Sequence, residues 1–467
     1  MRHHDLSLVD AAAAVRDRKV SSEALTLSCL DRIEASQSRL NAAIAIHRDR
    51  ALADARAADK ALAAGKAIGL LHGVPLAHKD MFYRTGVVST CGSFIRRNDV
   101  ADRTATVLTR LDAAGAIDVA NLNMAEFASN PTGQNAHWGD CRNPWDPEHV
   151  TGGSSSGSAA AVAARLVYGA LGSDTGGSVR LPAAACGVTG LKPTQTRVSR
   201  YGVMPLSHSL DVVGPLARTA RDCALLLGIV GGADPLDASC SRRKLPDYEA
   251  LLDGNVRGLR IGIAESYFFT DVATDIGARI DDAILAFERL GAVIVPVTVS
   301  DMPAINALQL VVQRTELAAT HKSLMLTRAD EYDPQVREGM EIGFTIPAAL
   351  YAEACSVRGA MLSALLATTF AQVDMLLTPT ISMATPKRAQ TAHSNPASDL
   401  LLQKLTRCTR PINYLGLPSL SLPCGFAGTG LPVGLQLVGT PFGEAQLLRA
   451  GDAYQRSTNW HSLAPPA

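Results

Sequence analysis

Residues 73–80 have the sequence GVPLAHKD and residues 116–122 have the sequence AIDVANL, and both stretches alternate in the manner of β-strands. Between them, residues 104–114 carry apolar side chains at helical spacing. A strand, a helix and a second strand in succession predict a β-α-β unit with parallel strands. We therefore expect an α/β fold.

The same order of elements recurs towards the other end of the chain. We predict a strand at 258–264 (GLRIGIA), a helix at 280–290, a strand at 292–297 (AVIVPV), two short strands at 419–423 and 431–439, and a closing helix at 444–455. The sequence has no repeat of fixed period and no linker rich in Pro, Ser or Gly. These features favour a single domain.

The N-terminal residues differ from the rest of the chain because their pattern is helical throughout. From residue 5 to about residue 65, apolar residues recur at helical spacing, followed by an Ala-rich charged stretch. We predict one domain over residues 1–467, in which residues 1–65 form a helical layer. Residues 66–467 are then the catalytic α/β core.

The composition narrows the possible partners. The 467 residues include 44 Lys+Arg and 44 Asp+Glu, so the formal net charge is zero, and no polybasic run is present. This balance argues against a nucleic-acid partner or an anionic membrane surface, since both require a basic excess. The nine cysteines show no pairing pattern, and no apolar stretch reaches the roughly 18 residues of a membrane span. We expect a cytoplasmic protein.

Residues 151–190 are dominated by small residues, with the sequence TGGSSSGSAAAVAARLVYGALGSDTGGSVRLPAAACGVTG. One Gly/Ser cluster precedes an apolar helix predicted at 159–167. A second cluster follows a short strand at 168–174 and precedes a helical turn at 181–185. Such clusters put hydroxyls and free backbone N–H groups at the positive ends of helices.

These clusters have three general explanations. A phosphate-binding loop requires a Lys after its glycines, and neither cluster has one. The segment Gly153–Gly157 matches the GxSxG elbow, which would make Ser155 a nucleophile, but no downstream His has a distinctive context. Helix capping explains single serines but not two such clusters.

The same residues resemble the amidase signature family. The resemblance covers most of the chain and rests on several motifs: GVPLAHKD, RNPWD, GGSSSGSAAAVAA, GSDTGGSVRLPAA, CGVTGLKPT, VSRYGV, LDVVGPLART, LTPT, NYLGLPSLSLPCG and GLPVGLQLVG. It implies a mixed, mostly parallel central sheet covered by helices on both faces. Ser156 departs from the family, since many relatives have Gly there.

The family's catalytic Ser–Ser–Lys unit falls on Lys79, Ser154 and Ser178. Ser178 is then the acylated serine, Ser154 the bridging serine and Lys79 the base. A lysine can act as a base only when neutral, and its ordinary pKa is about 10.4. Burial and a nearby helix N-terminus both lower it. Strand alternation puts His78 on the opposite face from Lys79.

The turn before Ser178 supplies the other expected site residues. We predict that backbone N–H groups of Thr175, Gly176, Gly177 and Ser178 bind the oxyanion. Three further residues are expected to support the turns rather than take part in chemistry: Ser155, Asp174 and Arg180. Arg358 could reach a substrate carboxylate, but a structural ion pair is the simpler interpretation, and Cys186 is expected to be a small buried residue.

The resemblance leaves three functions open. The first is a hydrolase of small amides, the second a hydrolase of ureas or carbamates of the urethane, biuret or allophanate type, and the third the A subunit of a glutamyl- or aspartyl-tRNA amidotransferase. That A subunit typically has an acidic residue seven positions before the Asn of its NLAGLP motif. Here the Asn is Asn413 and the residue is Thr406, which favours the first function.

The expected binding partners are small-molecule substrates. We predict a small-molecule amide, carbamate or urea as substrate, with no metal and no organic cofactor. The resemblance implies pocket walls outside the signature, for which Phe82, residues 123–134 and residues 300–360 are candidates. A homodimer is compatible with the family. A non-catalytic relative is the alternative of a different class, although all three catalytic positions are filled.

Overall fold

The computed structural model describes residues 3–466. Helices and strands alternate along most of the chain. The elements are α1 (Leu8–Arg16), α2 (Ser22–Leu40), β1 (Ala43–Ile46), α3 (Arg48–Ala63), β2 (Pro75–Lys79), α4 (Thr106–Ala113), β3 (Ile117–Leu122), α5 (Ser156–Ala163), β4 (Gly169–Asp174), α6 (Arg180–Cys186), β5 (Thr189–Lys192), β6 (Val212–Ala217), α7 (Ala220–Val230), β7 (Arg260–Ala264), α8 (Thr274–Arg289), β8 (Val293–Val297), α9 (Met302–Arg328), α10 (Pro334–Thr345), α11 (Ala348–Thr368), β9 (Met375–Pro379), α12 (Ser398–Thr406), α13 (Arg410–Tyr414), β10 (Ser419–Phe426), β11 (Pro432–Gly439) and α14 (Glu444–Ser457).

The strands within residues 3–466 form one mixed sheet in the order β1-β3-β2-β4-β6-β5-β10-β11-β9-β7-β8. Parallel pairing occurs in two groups, β3-β2-β4 and β9-β7-β8, and the first contains the predicted β-α-β unit. The strands between these groups pair antiparallel. Strands β10 and β11 form a hairpin and therefore also pair antiparallel. The predicted single α/β domain with a mixed sheet is confirmed, although six of the ten strand pairings among the described residues are antiparallel where a mostly parallel sheet was expected.

The N-terminal layer is not wholly helical, which corrects the prediction for residues 5–65. Residues Ala43–Ile46, with the sequence AIAI, form β1, which pairs antiparallel with β3 at the edge of the sheet. Helix α2 ends at Leu40 because Asn41 adopts a left-handed conformation with φ of 49°. This stretch therefore belongs to the same sheet as the core.

Two predicted helices have different limits in the structure. The helix predicted at 159–167 begins at Ser156 and ends at Ala163. The one predicted at 280–290 begins at Thr274. The strands predicted at 73–80, 116–122 and 258–264 lie where β2, β3 and β7 are found.

Small residues let α5 lie directly against the sheet. All of its residues, SGSAAAVA, are buried. A Cβ atom at Gly157 would collide with the carbonyl oxygen of Ala42, so the close approach of α5 depends on glycine. This packing brings the first Gly/Ser cluster next to the ends of β2 and β4. No helix in the described range 3–466 is long and apolar enough to cross a membrane.

Candidate active site

Lys79, Ser154 and a third residue, Ser173, meet at the carboxyl ends of strands β2 and β4. Strands β2 and β4 are parallel neighbours, so Lys79 at the end of β2 lies beside Ser173 near the end of β4. Lys79 Nζ lies 2.7 Å from Ser154 Oγ and donates to Ser173 Oγ at 2.8 Å. The sequence pattern had selected Lys79 and Ser154 but missed Ser173, whose only signal was a hydroxyl on a strand that is otherwise small or apolar.

The environment of Lys79 favours the neutral amine. Its side chain is 1% exposed, and burial lowers its pKa to about 7, although Asp211 and Asp174 act in the opposite direction. Within residues 3–466, Lys79 has no ion-pair partner. His78 lies on the other face, as predicted, where its ring nitrogen accepts the backbone N–H of Leu171 at 3.2 Å.

Ser155 joins the two Gly/Ser clusters. Its hydroxyl donates to the carbonyl oxygen of Ser173 at 3.3 Å, and its backbone N–H donates to the carbonyl oxygen of Ser178 at 3.3 Å. Ser155 is fully buried, whereas the nucleophile of a GxSxG elbow must be exposed on its turn. The structure therefore argues against the elbow hypothesis and gives Ser155 the contacts of a supporting residue.

Asp174 and Arg180 form a completely buried ion pair beneath the second turn. The two side chains are 0% exposed, and Arg180 Nη2 donates to Asp174 Oδ1 at 2.9 Å. Asp174 also accepts backbone N–H bonds from Gly177 at 2.8 Å and Val179 at 3.1 Å. Burial opposes its charged form, but Arg180, Lys192 and Asn413 together outweigh burial and hold the pKa of this carboxyl well below its usual range. The pair fixes the backbone on both sides of Ser178.

These contacts correct one expected oxyanion donor. The N–H of Gly177 is already used by Asp174. By contrast, the N–H groups of Thr175, Gly176 and Ser178 have no hydrogen-bond partner among the residues that the structure describes. Gly177 instead provides shape, since its φ is +133° and a Cβ atom there would collide with Thr409 Oγ1.

Ser178 lines a narrow recess that opens beside a larger cavity. The recess, of about 40 Å³, is also lined by Thr175, Gly176, Thr406 and Arg410. The neighbouring cavity, of about 350 Å³, shares Arg410 with it. Thr406, the residue that differs from the acidic side chain typical of the amidotransferase, therefore faces the site.

The larger cavity is lined by parts of both chain segments named as candidate pocket walls. Residues 129–131 come from the first segment, and Gln313 and Arg314 come from the second. Phe82, the third candidate, packs in the hydrophobic core instead. The cavity wall is therefore built from the loop after β3 together with α9, α10 and α12.

Arg358 and Cys186 have structural roles. The Arg358 guanidinium donates to the carbonyl oxygen of Ser209 at 2.8 Å and also to Tyr414 O and the Gln195 side chain. It holds loops together through neutral acceptors, and it forms no ion pair with the residues that the structure describes, so the expected structural ion pair is not found. Cys186 is fully buried, and burial raises the pKa of its thiol. Within residues 3–466, no group of three or more His, Cys, Asp or Glu side chains could hold a metal ion.

Several polar residues from the C-terminal half complete the site, and sequence analysis missed them. Asn413 donates to Asp174 Oδ1 at 2.8 Å, Gln436 accepts from Arg180 at 2.7 Å, and Thr409 donates to the carbonyl oxygen of Gly176 at 2.6 Å. Asn413 lies in the NYLGLP motif, so its position in the resemblance was the available signal.

Comparisons with known proteins identify relatives of nearly the whole chain. The family model described as Amidase matches residues 24–448. The A subunit of glutamyl-tRNA(Gln) amidotransferase from Roseiflexus sp. (strain RS-1) is 41% identical over 485 aligned residues, covering 99% of this chain and 98% of that protein.

Two solved structures show the same likeness in three dimensions. A protein described under "An unexpected vestigial protein complex reveals the evolutionary origins of an s-triazine catabolic enzyme" superposes with a TM-score of 0.90 and 33% identity, covering 97% of this chain and 98% of that one. The A subunit of glutamyl-tRNA(Gln) amidotransferase from Thermotoga maritima gives a TM-score of 0.84 and 31% identity, covering 100% and 98%.

Proposed function

The chain belongs to the amidase signature family of hydrolases that act on C–N bonds, and we propose that it cleaves an amide bond through an acyl-enzyme on Ser178. The observation that carries this proposal is the contact between a buried lysine and a serine hydroxyl, with the pKa of Lys79 lowered to about 7. Such a lysine can take a proton at neutral pH without a histidine.

The proposed steps pass protons along Lys79, Ser154 and Ser178. Neutral Lys79 accepts the proton of Ser154, which accepts that of Ser178, while Ser178 Oγ forms a bond to the amide carbon and the carbonyl oxygen becomes an oxyanion. The link between Ser154 and Ser178 is taken from the family resemblance. As the C=O bond re-forms and the C–N bond breaks, Ser154 gives a proton to the leaving nitrogen and takes one back from Lys79. Water then attacks the ester on Ser178, the same groups take one proton from the water and return it to Ser178 Oγ, and the acid is released.

The unpartnered N–H groups of Gly176 and Ser178 are the proposed oxyanion donors, with Thr175 beside them. A donor of this kind lowers the barrier by roughly 2.7–4 kcal/mol. Asp174 and Arg180 act only by holding the turn. Because no step needs a metal or an organic group, we propose that the chain works without a cofactor.

Covalent labelling tests the nucleophile directly. A fluorophosphonate probe is expected to label the purified chain at Ser178, identified by peptide mass spectrometry. The Ser178→Ala variant should lose the label, while the matched Ser155→Ala variant should retain it on Ser178. A label on Ser155, or on neither serine, would contradict the acyl-enzyme and would favour a non-catalytic role.

Two functions that use this chemistry, an amidotransferase subunit and a stand-alone hydrolase, are supported by different observations. The 41% identity to the A subunit of glutamyl-tRNA(Gln) amidotransferase along the whole chain supports glutamine as the substrate and further protein subunits as partners. Thr406, where an acidic residue is typical of that protein, lines the recess beside Ser178 and supports a stand-alone hydrolase of a small amide, urea or carbamate. For both functions we place the protein in the cytoplasm, consistent with its nine free thiols.

A substrate panel separates these two functions. Glutamine, primary amides, anilides, ureas and carbamates are incubated with the chain, and both products are identified by mass spectrometry. Turnover of a small compound by the chain alone supports the stand-alone hydrolase. Glutamine hydrolysis that requires co-expressed partner subunits supports the amidotransferase instead.

A further inference from the structure

Arg410 is a positively charged side chain without a partner beside the nucleophile. It is the first residue of α13 and follows Thr409, which is bonded to the carbonyl oxygen of Gly176. Its Nη1 atom is buried and has no hydrogen-bond partner. Among residues 3–466, the guanidinium forms neither a hydrogen bond nor an ion pair.

This isolation contrasts with Arg180, the completely buried arginine of the site, and with Arg358, which is also only partly buried. Arg180 is bonded to Asp174, Gln436 and Asn413, and Arg358 is bonded to backbone carbonyls. A guanidinium carries five N–H donors and a fixed charge, and leaving its buried Nη1 donor unpaired is costly. An arginine that serves only the fold would be expected to have partners of this kind.

The position of Arg410 points to a ligand. Arg410 lines both the recess that contains Ser178 and the larger cavity beside it. A Cβ atom placed on Gly176 would lie 3.4 Å from Arg410 Cγ. Because Arg410 and Ser178 line one recess, a small molecule whose carbonyl carbon lies at Ser178 can contact Arg410.

A second arginine reinforces the positive charge of the larger cavity. Arg314 of α9 lines this cavity with Arg410, and its side chain also has no hydrogen bond or ion pair to the described residues. Burial, and next the charge of Arg314, lower the pKa of Arg410 to about 10. Glu338 and Asp399 line the same cavity, but neither forms an ion pair with these arginines, and Glu338 lies instead 3.8 Å from the ring of His393.

We propose that Arg410, assisted by Arg314, binds a carboxylate of the substrate, so that the chain acts on amides that carry a carboxylate a few bonds from the scissile carbonyl. This inference rests on the proposed function, since it assumes that the carbonyl binds at Ser178. A guanidinium matches a carboxylate with two parallel hydrogen bonds. Glutamine and other monoamides of short dicarboxylic acids have this arrangement.

The test compares two ligands that differ only in the carboxylate. Glutaramate and pentanamide have the same chain length, and isothermal titration calorimetry gives the Kd of each for the Ser178→Ala variant, which binds without turnover. Glutaramate is expected to bind at least tenfold more tightly. Adding Arg410→Met should bring the ratio of the two Kd values close to one, and Arg410→Lys should give an intermediate ratio.

Arg337→Met in the same background is the matched control. Arg337 is a partly exposed arginine of α10 paired with Asp330, it does not line the cavity, and its loss should leave the ratio unchanged. If Arg410→Met does not fold, Arg314→Met provides the second variant, with a smaller expected fall in the ratio. A ratio near one before any arginine is changed, or the same fall for Arg337→Met, would overturn the proposal.

Failure of the proposed function has a different signature. If the fluorophosphonate probe does not label Ser178 in the wild-type chain, the acyl-enzyme is wrong, whatever the calorimetry shows. If Ser178 is labelled but glutaramate and pentanamide bind equally, the nucleophile stands and the role of Arg410 is wrong.

Discussion

Two lysines are buried in this sheet, Lys79 at the end of β2 and Lys192 at the end of β5. Lys79 is 1% exposed and Lys192 is 0% exposed. Burial lowers the pKa of each to about 7, and the charge of Arg180 adds to the effect at Lys192. By environment alone, both would qualify as neutral bases.

The atoms facing the two amines are different. Lys79 Nζ lies between the hydroxyls of Ser154 and Ser173, whereas Lys192 Nζ donates to the carbonyl oxygen of Pro193 at 3.0 Å. A hydroxyl can give a proton to an amine and a carbonyl oxygen cannot. A lowered pKa therefore marks a candidate base, but its hydrogen-bond partner decides whether it has a proton to accept.

Exchanging each lysine for methionine tests this distinction most strongly. Lys79→Met should slow the labelling of Ser178 by a fluorophosphonate about 10³-fold, because a positioned general base contributes on that scale. Lys192→Met should change the rate less than threefold. The two second-order rate constants are measured side by side, with thermal unfolding to check that both variants fold. Equal falls in the labelling rate for both variants would show that the hydrogen-bond partner does not decide which lysine is the base.

Removing only one partner of Lys79 should have a smaller effect. In Ser173→Ala the amine loses an acceptor at 2.8 Å and is held less firmly against Ser154, so we expect labelling of Ser178 to slow about tenfold. Loss of the acceptor also disfavours the ammonium form, which should move the acidic limb of the pH profile to lower pH. Ser158→Ala, which removes another buried hydroxyl beside β4, is the control. A slower rate with an unmoved pH profile would mean that Ser173 is only structural.

The pH dependence of labelling assigns the functional lysine. Lys79 must be neutral to accept a proton, and its pKa is lowered to about 7, so the rate should rise through pH 7 and level off above it. At one pH unit below this value, about a tenth of the maximal rate should remain. Lys192 has a similar pKa, but Lys192→Met should retain the same limb. If the acidic limb disappeared in Lys192→Met, the limb would belong to Lys192 and the assignment to Lys79 would be wrong.

The sequence allowed much of this site to be predicted, and the missing parts share one cause. The motifs gave Lys79 and Ser154 because a family pattern fixes residue types at set positions along the chain. Ser173 could not be found in this way, since its contact depends on the pairing of β2 with β4. The sequence also drew attention to Arg358 rather than Arg410, because the presence or absence of polar partners is decided by distant segments.

For the fold as well, local patterns could be predicted from the sequence and tertiary contacts could not. The parallel unit containing β2 and β3 was predicted because its alternation and helical spacing are local properties. Strand β1 was missed because four residues between two helices carry a weak signal, and its pairing with β3 is a tertiary contact. Likewise, the N–H of Gly177 could be recognised as occupied only once Asp174 had been located in space.

The last expected effect concerns stability rather than labelling, at the buried amine of Lys192. The folded-state pKa of Lys192 is about 7 and its unfolded value is about 10.4, so between these values the unfolded chain holds a proton that the folded chain lacks. Stability then rises with pH by about 1.4 kcal/mol per unit for this residue. The cost of burying the amine is thus largest below pH 7 and falls as the pH rises. Lys192→Met should stabilise the protein most at pH 7 and less at pH 8 and pH 9, as read from urea unfolding midpoints. Lys322→Met, at an exposed position of α9, reports the effect of methionine alone, and a gain at Lys192 that did not change with pH would show that the folded chain keeps this amine charged.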